Sequence, residues 1–151
     1  VNKVNLRSGM FGGPWVLMQR ITEWSEEDIE LAAREVALYK SLRGVIRDGK
    51  VYHLTPRPDG ARLEAIQAHN SRLNRSVIFV FRTLGEEESL LVTPRGLRPN
   101  SEYRVRQEEA GTLQIATGRD LMVRGIEVPL PTWDFAEIVH LSPAGGDDSD
   151  G

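Results

Sequence analysis

The chain has 151 residues and no cysteine. That absence excludes disulfides, thiolate metal ligands and a cysteine nucleophile. Long apolar runs are missing too, and none could span a bilayer. The opening Val-Asn-Lys-Val-Asn-Leu lacks the basic-then-apolar pattern of a signal peptide and reads as cut from a longer chain. A soluble, cytoplasmic protein is the expectation. Excess charge of one sign is also lacking: 19 basic residues face 22 acidic ones, for a net charge of −3. That balance argues against nucleic acid or a membrane surface as partner. Arg75, Arg82, Arg95, Arg98, Arg104 and Arg106 look basic as a group, but Glu86, Glu87, Glu88, Glu108 and Glu109 lie among them. They are expected to form a solvated strand face. No internal repeat is visible. Only the last residues, Ala-Gly-Gly-Asp-Asp-Ser-Asp-Gly, are of low complexity, and with nothing to bury they should be disordered.

What is present is a 40% hydrophobic sequence, enough for a core in one ordinary domain. Residues 1–24 read as loop, because Gly9, Gly12, Gly13 and Pro14 interrupt any regular element ahead of a short apolar segment at 15–18. Ser25 then opens a helix over 25–46. Its hydroxyl can cap the first turn, Asp28 sits at the reciprocal position, and Trp24 and Ile29 occupy the staple positions. Glu26, Glu27 and Asp28 suit the positive end of the helix dipole; Lys40, Arg43 and Arg47 suit the other end, before an Asp48-Gly49 turn. Two apolar stripes are expected on this helix. One comprises Ile29, Ala32, Ala33, Val36, Tyr39 and Ile46; the other, roughly opposite, comprises Leu31, Leu38, Leu42 and Val45. Two stripes predict burial between two layers, one of them outside this chain.

From Lys50 the hydrophobic period changes to two. Strands are expected at 51–54, 63–69, 76–83, 89–93, 103–107, 112–116, 126–129 and 135–141, separated by turn-forming residues. Residues 117–125 suit a bend or short helix. Val77 to Phe81 are apolar on both faces, which marks a central strand: Val77, Phe79 and Phe81 should face one layer, Ile78 and Val80 the other. The fold class is mainly β, an antiparallel β-sandwich preceded by one long helix and a loop segment. The division is 1–24, a loop segment; 25–48, the helix; 49–141, the sandwich; and 142–151, the tail.

Local chemistry is sparse. His53, His69 and His140 are not at metal-ligand spacing, and structural roles are expected for all three. No Gly-x-Ser-x-Gly elbow, Walker loop or dinucleotide fingerprint occurs. A glycosidase needs two carboxylates about 5–10 Å apart across a sugar, yet most acids here fall in the helix's first turn or in polar turns. Aromatic residues in strands are expected in the core. Trp15 and Trp24 are the exceptions, since they flank the seam in loop-like sequence. No catalytic, metal or cofactor-binding residue is assigned, and no cofactor is implied.

Four segments carry a family resemblance: Met10-Phe11-Gly12-Gly13-Pro14-Trp15, Trp24-Ser25-Glu26-Glu27, Ala37-Leu38-Tyr39-Lys40-Ser41-Leu42-Arg43 and Gly49-Lys50-Val51-Tyr52-His53-Leu54. In order and spacing they resemble the C-terminal end of family 36 glycoside hydrolases, the α-galactosidases that share a clan with family 27. Phe79-Val80-Phe81-Arg82, Arg95-Gly96-Leu97-Arg98-Pro99-Asn100-Ser101-Glu102-Tyr103 and Thr117-Gly118-Arg119-Asp120-Leu121-Met122 are similar to that family's sandwich. The resemblance implies that 1–24 is the end of an upstream catalytic barrel and 25–48 a seam helix linking it to a C-terminal β-sandwich, with both catalytic aspartates upstream on the barrel. Thr132-Trp133-Asp134 imitates the nucleophile's Lys-Trp-Asp-like motif but lies just before the last strand, at the wrong end of the order, so no catalytic residue carries over. The implied function is a non-catalytic domain that packs against and stabilises its parent's barrel and meets carbohydrate only through that parent. A second copy of the chain is a further candidate partner. Gly12, Gly13, Trp15, Trp24 and Tyr39 are the candidate seam or ligand-approach residues. The competing readings are a free-standing carbohydrate-binding module and a protein-interaction sandwich, which a surface map of Trp15, Trp24, Tyr52 and Trp133 distinguishes.

Overall fold

The computed structural model describes residues 1–11, 14–16, 20–56 and 63–145. Its centre is a six-stranded antiparallel sheet in the order β1-β2-β3-β8-β5-β6, formed by β1 (Lys50–His53), β2 (Leu63–Asn70), β3 (Arg75–Arg82), β5 (Glu102–Gln107), β6 (Leu113–Thr117) and β8 (Phe135–Pro143). A two-stranded sheet of β4 (Ser89–Val92) and β7 (Ile126–Pro129) lies across one face with α3 (Gly118–Arg124). Helices α1 (Lys3–Ser8) and α2 (Glu26–Arg47) cover the other. The result is an unequal sandwich with a helical third layer.

The period-two alternation of β3 builds both cores. Ile78 and Val80 join Val92, Tyr103, Val128 and Val139 on the two-stranded side. Val77, Phe79 and Phe81 join Leu42, Val45, Ala68 and Ile138 beneath the helices. Both expected layers are therefore present, and β3 is central, with β2 on one side and β8 on the other. All eight strands lie within two residues of their expected ends. The largest extension is β8, which runs on through Ser142 and Pro143, residues assigned to the tail. There Arg104 and Tyr103 of β5 sit opposite Ser142 and Pro143, and a neighbouring strand prolongs the ladder. The rest of the expected tail, from 146, lies outside the described residues.

The N-terminal segment departs from expectation. Residues 3–8 form a helix, and 21–23 a single 3-10 turn. Asn2 explains the helix: its Oδ1 accepts from Val4 N at 2.7 Å and Asn5 N at 3.3 Å. The glycines fall after this helix. At Gly9 a Cβ would stand 2.7 Å from the Trp15 ring, so the close approach of Trp15 requires glycine there.

Helix α2 begins as expected, with Ser25 Oγ accepting from Asp28 N at 3.2 Å. Its two stripes prove to be flanks of one face. Leu42 and Val45 are buried, with Leu38, Tyr39 and Ile46 packed beside them. Ala32 and Glu35 are buried farther up, while Ile29 and Ala33 face outward. Its last turn abuts the sheet: a Cβ at Gly49 would fall 2.4 Å from Val45 O and 3.2 Å from Ala68 Cβ. No helix among the described residues is long and apolar enough to cross a membrane.

At the far end of the sheet β6 is an edge strand. Leu113 and Ile115 pair with Arg106 and Arg104, so they share their face, and they are 62% and 59% exposed. Neither helix reaches that far.

Candidate functional site

Two of the expected seam residues meet. The Trp15 and Tyr39 rings lie 5.2 Å apart, tilted by 59°, against the rim of the helix-side core. Trp24 is half-buried beside the Ser25 cap. Gly12 and Gly13 lie outside the described residues. Of the ten Phe, Tyr and Trp residues, only Trp133 is exposed; Trp15, Trp24 and Tyr52 are half-buried. A sugar platform needs several rings offered together, and the map gives one. Asp134, next to Trp133, accepts a hydrogen bond from Asn2 Nδ2 at the surface. The Trp-Asp motif is thus tied to the residue that caps the start of α1.

A buried ionic cluster with no expectation behind it joins α1 to α2. Arg7, only 1% exposed, donates from Nε and Nη2 to both oxygens of Glu35, at 2.9 and 2.8 Å. Its Nη1 donates to Ala136 O at 2.7 Å, and Nη2 also reaches Glu109 Oε1 at 2.6 Å. Lys3 Nζ holds the other Glu109 oxygen at 2.8 Å. Burial opposes the Arg7 charge, but the hydrogen bonds and charge of Glu35, then of Glu109, outweigh it and hold the guanidinium pKa above its ordinary value. Glu137, fully buried, accepts from Glu109 N, Ala110 N and Ile138 N at 2.8–2.9 Å and so fixes the turn that presents Glu109. The cluster ties α1, α2, β8 and the turn after β5 into one unit.

The histidines are separate. His53 is exposed. The buried His69 has Nδ1 2.8 Å from Ser76 Oγ, and burial, then the Arg98 charge, lowers its pKa. His140 Nε2 lies 2.8 Å from Glu108 Oε2, which also receives Arg106 Nη1 at 2.7 Å. Among the described residues no group of three or more His, Cys, Asp or Glu could hold a metal ion. Arg82 is corrected from the solvated face expected for it. It is 7% exposed, and its guanidinium donates to Leu130 O and to Gly85 O, closing the loop after β3.

The hydrogen bond from His140, followed by the charges of His140 and Arg106, holds the Glu108 carboxyl down to about 2 from its ordinary 4.5. A depressed folded pKa gives stability that is complete above the unfolded value and lost as pH falls through the folded one. The urea midpoint is therefore expected to fall between about pH 4.5 and 2 more steeply in the wild type than in Glu108→Gln. Parallel curves would show that this half-exposed pair contributes nothing, as many surface pairs do.

The architecture defines a β-sandwich domain with a helical layer on one sheet. Residues 63–141, more than half of the chain, match the family model described as glycosyl hydrolase family 36 C-terminal domain. The chain belongs to that family. Its fold is similar to the GH36 α-galactosidase AgaB from Geobacillus stearothermophilus, at 24% identity and a TM-score of 0.70 over 82% of this chain and 17% of that one. It is also similar to the galactosidase domain of the α-galactosidase-sucrose kinase AgaSK, at 22% identity and 0.68 over 81% and 17%. For the α-galactosidase from Lactobacillus brevis the values are 19% and 0.68 over 87% and 19%. The chain thus spans under a fifth of the length of these structures. No curated protein matches the sequence.

Proposed function

We propose that the chain is the non-catalytic C-terminal sandwich of an α-galactosidase-like glycoside hydrolase, packed against the parent's catalytic barrel and stabilising it. The observation that carries this reading is the family match over residues 63–141. The likeness in fold to α-galactosidases of which the matched part is only 17–19% supports it. Helix α2, the half-buried Trp15–Tyr39 pair and Trp24 supply the seam in this reading. The Arg7 cluster stiffens the approach by locking α1 to α2 and β8. Carbohydrate is met through the parent, in the cytoplasm, and a second copy of the chain is a further partner.

The purified 151-residue protein is expected to release no nitrophenol from nitrophenyl α- or β-galactosides. Turnover that disappears in Asp134→Asn would overturn the reading. The stabilising half is tested in the parent enzyme, whose Tm should drop when residues 49–145 are deleted and its barrel is retained.

A further inference from the structure

The backbone of β6 has donors and acceptors that the fold leaves unused. β6 is last in the strand order, and its register with β5 decides which of its groups are engaged. Thr112 O accepts from Gln107 N at 3.1 Å, and Gly118 N donates to Ser101 O at 2.9 Å. Antiparallel pairs alternate along a ladder, so Thr112, Gln114, Ala116 and Gly118 turn their backbone groups toward β5. Leu113, Ile115 and Thr117 turn theirs the other way, to an edge with no neighbouring strand among the described residues. Thr117 also caps α3, so its N–H is the group it offers there.

Edge strands are commonly protected by a charge, a proline or a covering element. The β6 sequence Leu-Gln-Ile-Ala-Thr has no charge and no proline. The opposite edge differs: β1 begins at Lys50, and Pro56 follows shortly after its end. Leu113 and Ile115, 62% and 59% exposed, lie on the helix-side face beyond the reach of α2, whose Leu42 and Val45 pack over β2 and β3. An open edge that is both neutral and apolar suits another neutral strand, and β6 itself fits that description.

We propose that two copies of this chain pair through β6, antiparallel, about a two-fold axis at Ile115. The pairing rests on the reading that a second copy is a partner, and gives that partner a surface and a register. The outward-turned groups sit at odd positions, so only registers that match odd with odd form bonds. With Ile115 opposite Ile115, the two residues exchange N–H···O bonds. Thr117 N–H of each copy then meets Leu113 O of the other. Leu113 and Ile115 of both copies form one apolar row on the helix-side face, and Gln114 lies opposite Ala116 on the other face. No like charges oppose one another along the strands. Continuing the register brings the exposed Arg119 of each copy to Gly111 of the other, in the turn that carries Glu108 and Glu109, so the strand ends are complementary in charge. The sheet becomes continuous across both copies, and the seam along α2 stays clear. A five-residue strand buries less than the roughly 1,200 Å² of a standard interface, so the association is weak and concentration-dependent.

The test is sedimentation equilibrium of the 151-residue protein from about 1 μM to about 1 mM, which spans the range of a weak dimer. The mass should rise from that of the monomer toward twice that value, with a midpoint of about 100 μM. Ile115→Lys sets two ammonium groups against each other at the axis and should weaken association about tenfold or more. Its melting curve at the dilute end should match the wild type, since the side chain it replaces is largely exposed in the monomer. Ile115→Pro keeps an apolar side chain and removes only an N–H that points away from β5, which an edge strand tolerates. It should weaken association as well. Leu84→Lys, at a leucine 62% exposed in the loop after β3, should dimerise as the wild type does. A monomer throughout the range would overturn the pairing and, with it, the second copy as a partner. A dimer that both Ile115 variants leave unchanged would overturn the pairing alone, by showing that the second copy is seated elsewhere.

Discussion

Replacing Phe79 by alanine is expected to remove about 3–5 kcal/mol of stability, the usual cost of truncating a buried aromatic. Phe79 has no exposed surface and sits at the middle of the central strand. Its ring meets Phe11 edge-on at 5.3 Å and stacks beside Phe81 at 6.2 Å. Truncation therefore leaves a cavity at the junction of the sheet with the segment after α1, and the sheet below cannot relax into it without breaking ladders on both sides. A domain of this size commonly has about 5–15 kcal/mol in total. The variant should consequently be largely insoluble, or melt without cooperativity. A soluble Phe79→Ala protein with a sharp urea transition displaced by less than about 1 kcal/mol would show that the helix-side core collapses around the gap.

Glu35→Ala should cost a similar amount, about 3–5 kcal/mol, by a different route. The carboxylate is 3% exposed and receives two of the hydrogen bonds of Arg7, itself 1% exposed. Removing it leaves a buried guanidinium with only Glu109 and one carbonyl to satisfy it. The loss is thus mainly the cost of a stranded charge. The double variant Arg7→Met/Glu35→Met removes both charges and should recover part of the loss, with Ala136 O and Glu109 Oε1 left without the donors that Arg7 supplied. Urea titrations of the two variants decide the matter. If the double variant is no more stable than Glu35→Ala, packing at this position outweighs the charge.

Much of this architecture is legible because its signals are local. Alternation and turn residues place the eight strands, and Ser25 with Asp28 places the start of α2. The short helix α1 escapes because six residues show less than two turns of periodicity, and its glycines lie after its end. The buried face of α2 is misread for a chemical reason. Its line runs through Glu35, and a carboxylate in an apolar stripe reads as solvent-facing until a partner 28 residues away is known. The same holds for Glu109 and Glu137, whose roles rest on residues far along the chain. Trp15 and Tyr39 can be picked out from sequence, but their pairing cannot. That β6 ends the sheet is hidden because strand order rests on pairings between segments far apart in the chain.

The pairing of β3 with β8 has a consequence for how the chain emerges during synthesis. Roughly 50 residues separate the two strands, which at about 5–20 residues per second amounts to several seconds of translation. Throughout that interval β3 has β2 on one side and an open edge on the other, beside a run that is apolar on both faces. The nascent protein therefore passes through a stage in which its most sheet-forming segment is unprotected. Crowded ribosomes on one message would bring several such edges together. Until β8 is made, that edge of β3 is the part of the nascent sheet best placed to pair with another chain.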